Sequence, residues 1–333
     1  MIGKRALGTQ GLRVAALGLG CGGMSPARGL PGLYGPPDEA ECLATIQRAI
    51  DLGVELFDTA EMYGPYHNEE LLGRAIRGRR ERVVLSTKFG FRYDAQGSPH
   101  VTDSSPAHVR RSVEGSLKRL GVDCIDLIYQ HRIDRDTPIE ETVGAMAALV
   151  RDGKARYIGL SEVGPATIRR AHAVHPLSVI ETEYSLWERE PEREILPTLR
   201  SLGIGFVPYA PLGRGFLAAS AGREQVNSDA RKAYPRFQGE NYDRNLSLLE
   251  KLKAFAARKS ATPAQVSLAW LLAKGDDIVP IPGTKRRKYL EENVAAAALR
   301  LERADIVWLD REFAPGVAAG ARYSDVLDAY VDR

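Results

Sequence analysis

Along this chain, short apolar runs alternate with longer stretches in which apolar residues recur every three or four positions. The short runs are Leu17–Gly20, Val54–Asp58, Val83–Lys88, Ile125–His131, Arg156–Ser161, Val179–Glu183, Gly205–Tyr209 and Ile278–Ile281. Too short for helices and rich in β-branched residues, they read as buried strands. The longer stretches predict helices over Glu39–Asp51, Glu69–Arg77, Pro106–Leu120, Ile139–Arg151, Pro165–His175, Glu192–Leu202 and Asn245–Lys259. Two more follow the last strand, Tyr289–Ala298 and Glu302–Phe313. Punctuation supports the boundaries. Asp38 can cap the first helix and Gly53 stops it, while Pro106 opens the third at its first position and Gly121 ends it.

Strict strand–helix alternation implies a parallel sheet. Eight units favour a closed barrel over an open sheet, and such a barrel needs about 250 residues. The expected fold is therefore a (β/α)8 TIM barrel, one domain spanning 1–333, with extra C-terminal helices. Residues 4–15, bending at Gly8 and Gly11, read as a β-hairpin that could plug the N-terminal end of the barrel. Gly18, Gly20, Gly22 and Gly23 do not have the GxGxxG spacing of a dinucleotide fingerprint and fit a tight barrel loop better. The stretch from Arg214 to Asp243 is an outlier. A loop of that length usually forms a lid or stays disordered, and its aromatics favour a lid or a substrate wall. The tail from Gly316 onward could cover the barrel mouth or pack outside.

Composition narrows the classes. Charge is nearly balanced at +3, with Lys and Arg dispersed, which gives no reason to expect nucleic acid or an anionic membrane as partner. Cys21, Cys42 and Cys124 are far apart and form no metal-binding spacing, as expected of reduced thiols in a cytosol. No apolar run approaches the roughly 20 residues of a membrane span, and the N-terminus lacks a signal core. The expectation is a cytoplasmic protein. The sequence does not set an oligomeric state.

Candidate chemistry sits at strand ends. Asp58 ends the second strand, and Tyr63 lies on the loop that follows; Lys88 ends the third and His131 the fourth. In an α/β barrel, the C-terminal strand ends are where active sites are built. The segments FDTAEMYG, STKFG and DLIYQHRID resemble the catalytic segments of the aldo-keto reductases. So do GLGCGGMS, GKARYIGLSE, EYSLW, PYAPLGRGFL and IVPIPGTKRRKYLEENV, in the family's order and over nearly the whole chain. The subgroup that looks most similar holds the pyridoxal reductases and broad aldehyde reductases.

That resemblance implies NADPH-dependent reduction of aldehydes, and of some ketones, to alcohols, with a small-molecule carbonyl substrate and no metal. Asp58, Tyr63, Lys88 and His131 match the family's catalytic tetrad. A free phenol has a pKa of roughly 10, and a nearby ammonium lowers it. Tyr63 then serves as general acid, Lys88 as its modulator, Asp58 as the lysine's partner, and His131 polarises the carbonyl.

For the cofactor, the turn carrying Gly283, Thr284, Lys285 and Arg286 leads into a helix whose N-terminus offers free N–H groups to a phosphate. Its basic residues suit the 2′-phosphate of NADPH (NADP+) over NADH. By resemblance, Glu292 and Asn293 would contact adenine. Ser161 and Glu181 would contact the nicotinamide carboxamide, and Tyr209 would stack on the ring. Leu212, Gly213 and Arg214 would follow the pyrophosphate. Two positions depart from the family: Glu162 stands where many members have Asn, and Glu181 where most have Gln. A carboxylate at 181 could accept from the carboxamide but not donate to it.

Met24, Tyr34, Phe89, Trp187 and Phe216 are the candidate pocket walls, with Tyr66 also on these loops. Two other classes fit less well. One is an NADPH-binding regulatory or docking subunit with little turnover. The other is a Schiff-base lyase using Lys88, which the neighbouring Asp58 disfavours by keeping the lysine protonated.

Overall fold

The computed structural model describes residues 2–26, 34–94, 99–220 and 222–332. Positions 221 and 333, within the loop and the tail considered above, lie outside these. A seven-stranded parallel sheet runs in chain order: β1 (Leu19–Gly20), β2 (Leu56–Asp58), β3 (Val84–Phe89), β4 (Ile125–Gln130), β5 (Ala155–Ser161), β6 (Val179–Glu183) and β7 (Gly205–Tyr209). The segment 278–283 closes it into a barrel. On one side, Val279 and Ile281 donate to the Phe206 and Pro208 carbonyls. On the other, the Pro280 and Pro282 carbonyls accept from Gly18 and Gly20. Proline has no N–H, so this segment bonds to β1 in one direction only and forms bridges, not a full ladder. The eighth strand expected at 278–281 takes this form.

Gly18 and Gly20 make that closure fit. A Cβ at Gly18 would sit 2.9 Å from the Leu56 carbonyl oxygen, and one at Gly20 would sit 2.9 Å from that of Ile281.

The inward positions alternate along each strand. Leu56, Leu127, Val179, Val207, Val279 and Ile281 form an apolar plug inside the barrel. The expected hairpin, Lys4–Ala6 with Arg13–Ala15, seals its N-terminal end by adding Leu7, Leu12 and Val14. The other strand face, with Phe57, Leu85, Ile128, Ile158 and Ile180, packs on the helix layer.

Helices Glu39–Asp51, Pro106–Leu120 and Ile139–Arg151 form where expected. The helix Pro263–Ala273, which the strand–helix alternation did not reveal, packs against helix Gly239–Arg258 and the helices Arg287–Ala295 and Arg303–Glu312. It is apolar all round and buried, so it has no amphipathic stripe to read. Its start was legible: Thr262 and Gln265 form a capping box before Pro263. A second hairpin, Phe91–Tyr93 with Pro99–Thr102, extends the loop after β3 and was not anticipated either. The long stretch after β7 folds as a lid built of short helices, Arg223–Ser228, Ala230–Ala233 and Pro235–Phe237, before helix Gly239–Arg258.

Candidate active site

The same alternation that builds the plug places the site. Two residues on from inward-facing Leu56 is Asp58, and Lys88, on the same strand face as Val84 and Ser86, also points inward. Along β4, Leu127 and Tyr129 lead to His131, and along β6, Val179 leads to Glu181 and Glu183. These side chains converge at the C-terminal end of the barrel. Lys88 is 1% exposed and forms an ion pair with Asp58, and its Nζ also donates to the Thr59 carbonyl at 3.0 Å. Asp58 accepts a second bond from Ser86 Oγ at 2.7 Å. Tyr63 lies beside them, its ring centroid 5.6 Å from Lys88 Nζ and 6.0 Å, edge-on, from the His131 ring. The Tyr63 ring needs glycine opposite it: a Cβ at Gly22 would come within 3.1 Å.

The electrostatics correct one expectation. Burial pushes the Tyr63 phenol up, and the pull of Lys88 offsets this only in part, because Asp58 and Glu181 push the same way as burial. Tyr63 is therefore held protonated. Burial disfavours the Lys88 charge, but Asp58 and Glu181 outweigh it and the lysine stays an ammonium, which leaves no free amine for a Schiff base. Burial, then Arg132 and Lys88, hold His131 well below its usual range, hence neutral. Its Nδ1 is buried without a hydrogen-bond partner among the described residues.

Glu181 sits on the far side of Lys88, with Oε2 at 3.4 Å from Nζ. Arg132 donates to the His131 carbonyl at 2.7 Å and to Ser161 Oγ at 3.3 Å. Glu162 has φ +56°, a left-handed conformation that favours Asn or Gly, which gives a physical reason for Asn at this position. Its carboxylate caps the Glu183 N–H at 3.0 Å and pairs with Arg322.

Arg322 belongs to the tail, which lies across the barrel mouth. Tyr323 is hydrogen-bonded to Tyr209 at 2.5 Å, and Asp332 accepts from the Gly164 N–H at 3.0 Å. The tail thus covers the site, and two surface clefts, of about 1030 and 1110 Å³, lie away from it, one beside the N-terminal hairpin and one around Arg74 and Lys118.

Other expected residues are placed less simply. Arg214 is tied to Glu183 at 2.8 Å and stacks over Tyr234, so its guanidinium already has a carboxylate. It stands in the turn Gly213–Gly215 after Leu212. Lys285 is half-buried. It donates to the carbonyls of Tyr34, Gly35 and Pro36 at 2.7–3.0 Å and pins that loop. Gly283 and Arg286 are exposed, and Thr284 Oγ1 accepts from the Arg286 N–H at the start of helix Arg287–Ala295. Glu292 accepts from the capping Thr262 at 2.6 Å, and Asn293 is buried beside it on the same helix.

Among the pocket candidates, Phe89 is on the opposite strand face from Lys88. It is buried in the barrel–helix core, so it is not a pocket wall. Met24 is buried in the same cluster. Trp187 and Phe216 stack at 4.2 Å and join Phe237 and Tyr242 as the anchor of the lid. Tyr34 lies against Gly23 and under Arg231.

A buried polar group that the sequence did not flag adjoins the site. The Glu61 N–H donates to the Lys88 carbonyl, and its carboxylate accepts from the Gly90 N–H, so it ties the Tyr63 loop to the end of β3. Burial, then Glu69, push its carboxyl up to about 7. Its position between Asp58 and Tyr63 was the available signal. Among the described residues, no group of three or more His, Cys, Asp or Glu is placed to hold a metal ion, and no helix is long and apolar enough to cross a membrane.

This arrangement can protonate an oxygen from a half-buried phenol while a fixed ammonium stabilises the phenolate left behind. Residues 18–311 match the model of the aldo/keto reductase family. A probable aldo-keto reductase of Glycine max is 46% identical over 328 residues, covering 97% of this chain and 92% of the relative. A glycerol dehydrogenase of Gluconobacter oxydans superposes with a TM-score of 0.83 at 28% identity, over 93% of this chain and 94% of that one. An aldo/keto reductase of Klebsiella pneumoniae, solved with NADP and acetate, superposes with a TM-score of 0.73 at 26% identity, over 96% and 98%. The chain therefore belongs to the aldo/keto reductase family of oxidoreductases.

Proposed function

We propose that this protein reduces aldehydes, and some ketones, to alcohols with NADPH in the cytoplasm, using Tyr63 as the proton donor. The observation that carries the reading is the convergence at the barrel's C-terminal end of the Tyr63 phenol, the Lys88–Asp58 ion pair and the His131 ring around one point. A bound nicotinamide dinucleotide supplies the hydride, which brings two electrons to the carbonyl carbon. Neutral His131 donates an N–H to the carbonyl oxygen and orients it. Tyr63 passes its proton to that oxygen as negative charge builds there, and the resulting phenolate faces Lys88. Water then returns a proton to Tyr63. Asp58 keeps Lys88 charged and in place throughout.

The residues fit a dinucleotide in part. At the nicotinamide end, Glu181 Oε2 and His131 Nδ1 are buried polar atoms without hydrogen-bond partners, as expected where a ligand completes the site. Ser161, Glu181 and Tyr209 would hold the ring, and Leu212, Gly213 and Arg214 the pyrophosphate. At the other end, Arg286 with Thr284 at a helix N-terminus suits a phosphate, Lys285 shapes the loop around it, and Glu292 and Asn293 lie one helical turn further on. The NADP in the Klebsiella neighbour supports the same choice.

The test is consumption of NADPH and of NADH, separately, with an activated aromatic aldehyde. The reading expects turnover with a preference for NADPH that Arg286→Ala reduces. Tight NADPH binding without turnover would replace it with the binding-subunit reading.

A further inference from the structure

Lys88 has three N–H donors and no contact with solvent. Asp58 takes one and the Thr59 carbonyl takes a second. Beside the Tyr129 ring, whose centroid is 5.7 Å from Nζ, two groups lie near the third. One is Tyr63, whose ring centroid is 5.6 Å from Nζ. The other is Glu181, whose Oε2 lies 3.4 Å from Nζ and is itself buried and unpartnered. Asp58 is fixed by Ser86 and Lys88 together, whereas that oxygen of Glu181 has only the longer 3.4 Å contact with Nζ. Two carboxylates therefore share one ammonium in a buried site, and the one with fewer donors holds a proton more readily.

We propose that Glu181 is a positioning residue for this reaction: neutral, it leaves the third N–H of Lys88 to Tyr63, and ionised, it takes that N–H for itself. The inference rests on the reading of Tyr63 as proton donor. In reduction, Tyr63 becomes a phenolate, and the Lys88 N–H that faces it stabilises that charge. An ionised Glu181 withdraws the donor and adds a like charge nearby, so it opposes the step twice.

The surroundings place the change above neutrality. Burial and then Asp58 push the Glu181 carboxyl up to about 8, against Lys88 and Arg132. The other groups facing it are Tyr63 from the loop after β2 and Tyr129 from β4. Burial raises both phenols, so neither adds charge in this range.

The experiment is the pH dependence of kcat for aldehyde reduction in the wild type and in Glu181→Gln, which keeps the shape and cannot ionise. With each profile normalised to its own plateau, the wild type should lose about tenfold per pH unit above about 8, while the variant holds its plateau at least one unit further, a relative difference of about tenfold near pH 9. A second readout needs no turnover. Glutamate side-chain carboxyls, followed by carbon-13 NMR in the protein without cofactor, should include one that titrates near 8 and is missing from Glu181→Gln. Superimposed pH profiles, or a Glu181 carboxyl titrating below about 6, overturn the role of Glu181 alone. Absence of turnover in the wild type at every pH overturns the reduction reading itself.

Discussion

The two ends of this barrel are built on the same strands by the same alternation, yet they are held together differently. At the N-terminal end, Leu56, Leu127, Val179 and Val207 meet Leu7, Leu12 and Val14 of the hairpin. Two residues along the same strands, the inward positions become Asp58, Glu181 and Tyr209, with Lys88 and His131 alongside. The first end is sealed by non-directional apolar contact. The second is held by directed bonds, and is closed from above by Arg322, Tyr323 and Asp332 of the tail. A residue at the plug contributes by the volume it fills. A residue at the mouth contributes by the charge it balances, and losing it strands its partner.

The largest expected effect breaks that charge balance. Lys88→Met leaves Asp58 and Glu181 buried without their ammonium, and should cost about 3–5 kcal/mol of stability as well as turnover. Chemical denaturation with a parallel activity assay measures both. Leu127→Ala tests the other end. It should cost about 2–5 kcal/mol while kcat per folded molecule is retained, because no atom at the mouth loses a partner.

The third effect is set by pH, at Glu61, and vanishes at low pH. Its folded-state carboxyl is raised, so the wild type binds this proton more tightly when folded. That stabilisation is complete below the unfolded value near 4.3 and is lost as pH rises through about 7. Glu61→Gln can still accept from the Gly90 N–H and does not titrate. Relative to wild type, it should gain stability between those limits, by up to about 4 kcal/mol, and show no further change above them. A difference that is flat with pH contradicts the buried-proton account of Glu61.

Much of this contrast was legible in the sequence. The period of two in β2, β3, β4 and β6 carries apolar residues into polar ones at the strand ends, which is why Asp58, Lys88 and His131 stood out. The same period places Phe89 on the helix side, one position from Lys88; proximity in sequence misled where strand parity decided. Helix Pro263–Ala273 escaped because an all-apolar helix has no stripe, and segment 278–283 is irregular because its prolines cannot donate. Contacts far apart in sequence had no local signal. Lys285 reads as a free basic residue until the Tyr34–Pro36 carbonyls surround it, and Arg214 until Glu183 does. The phenol of Tyr63 was expected to be lowered by its lysine. Burial, which composition does not reveal, decides the opposite direction.

The most direct test of the mouth as the reaction centre is kcat for NADPH-dependent reduction of an activated aromatic aldehyde in the wild type and Tyr63→Phe, with NADPH affinity and thermal stability measured on both. The account predicts a loss of about 10²–10⁴-fold in kcat with NADPH affinity and stability little changed, since among the described residues no hydrogen bond holds the hydroxyl in the protein without cofactor. A Tyr63→Phe enzyme that keeps its rate to within about tenfold would contradict it, and would move the proton donor away from this loop.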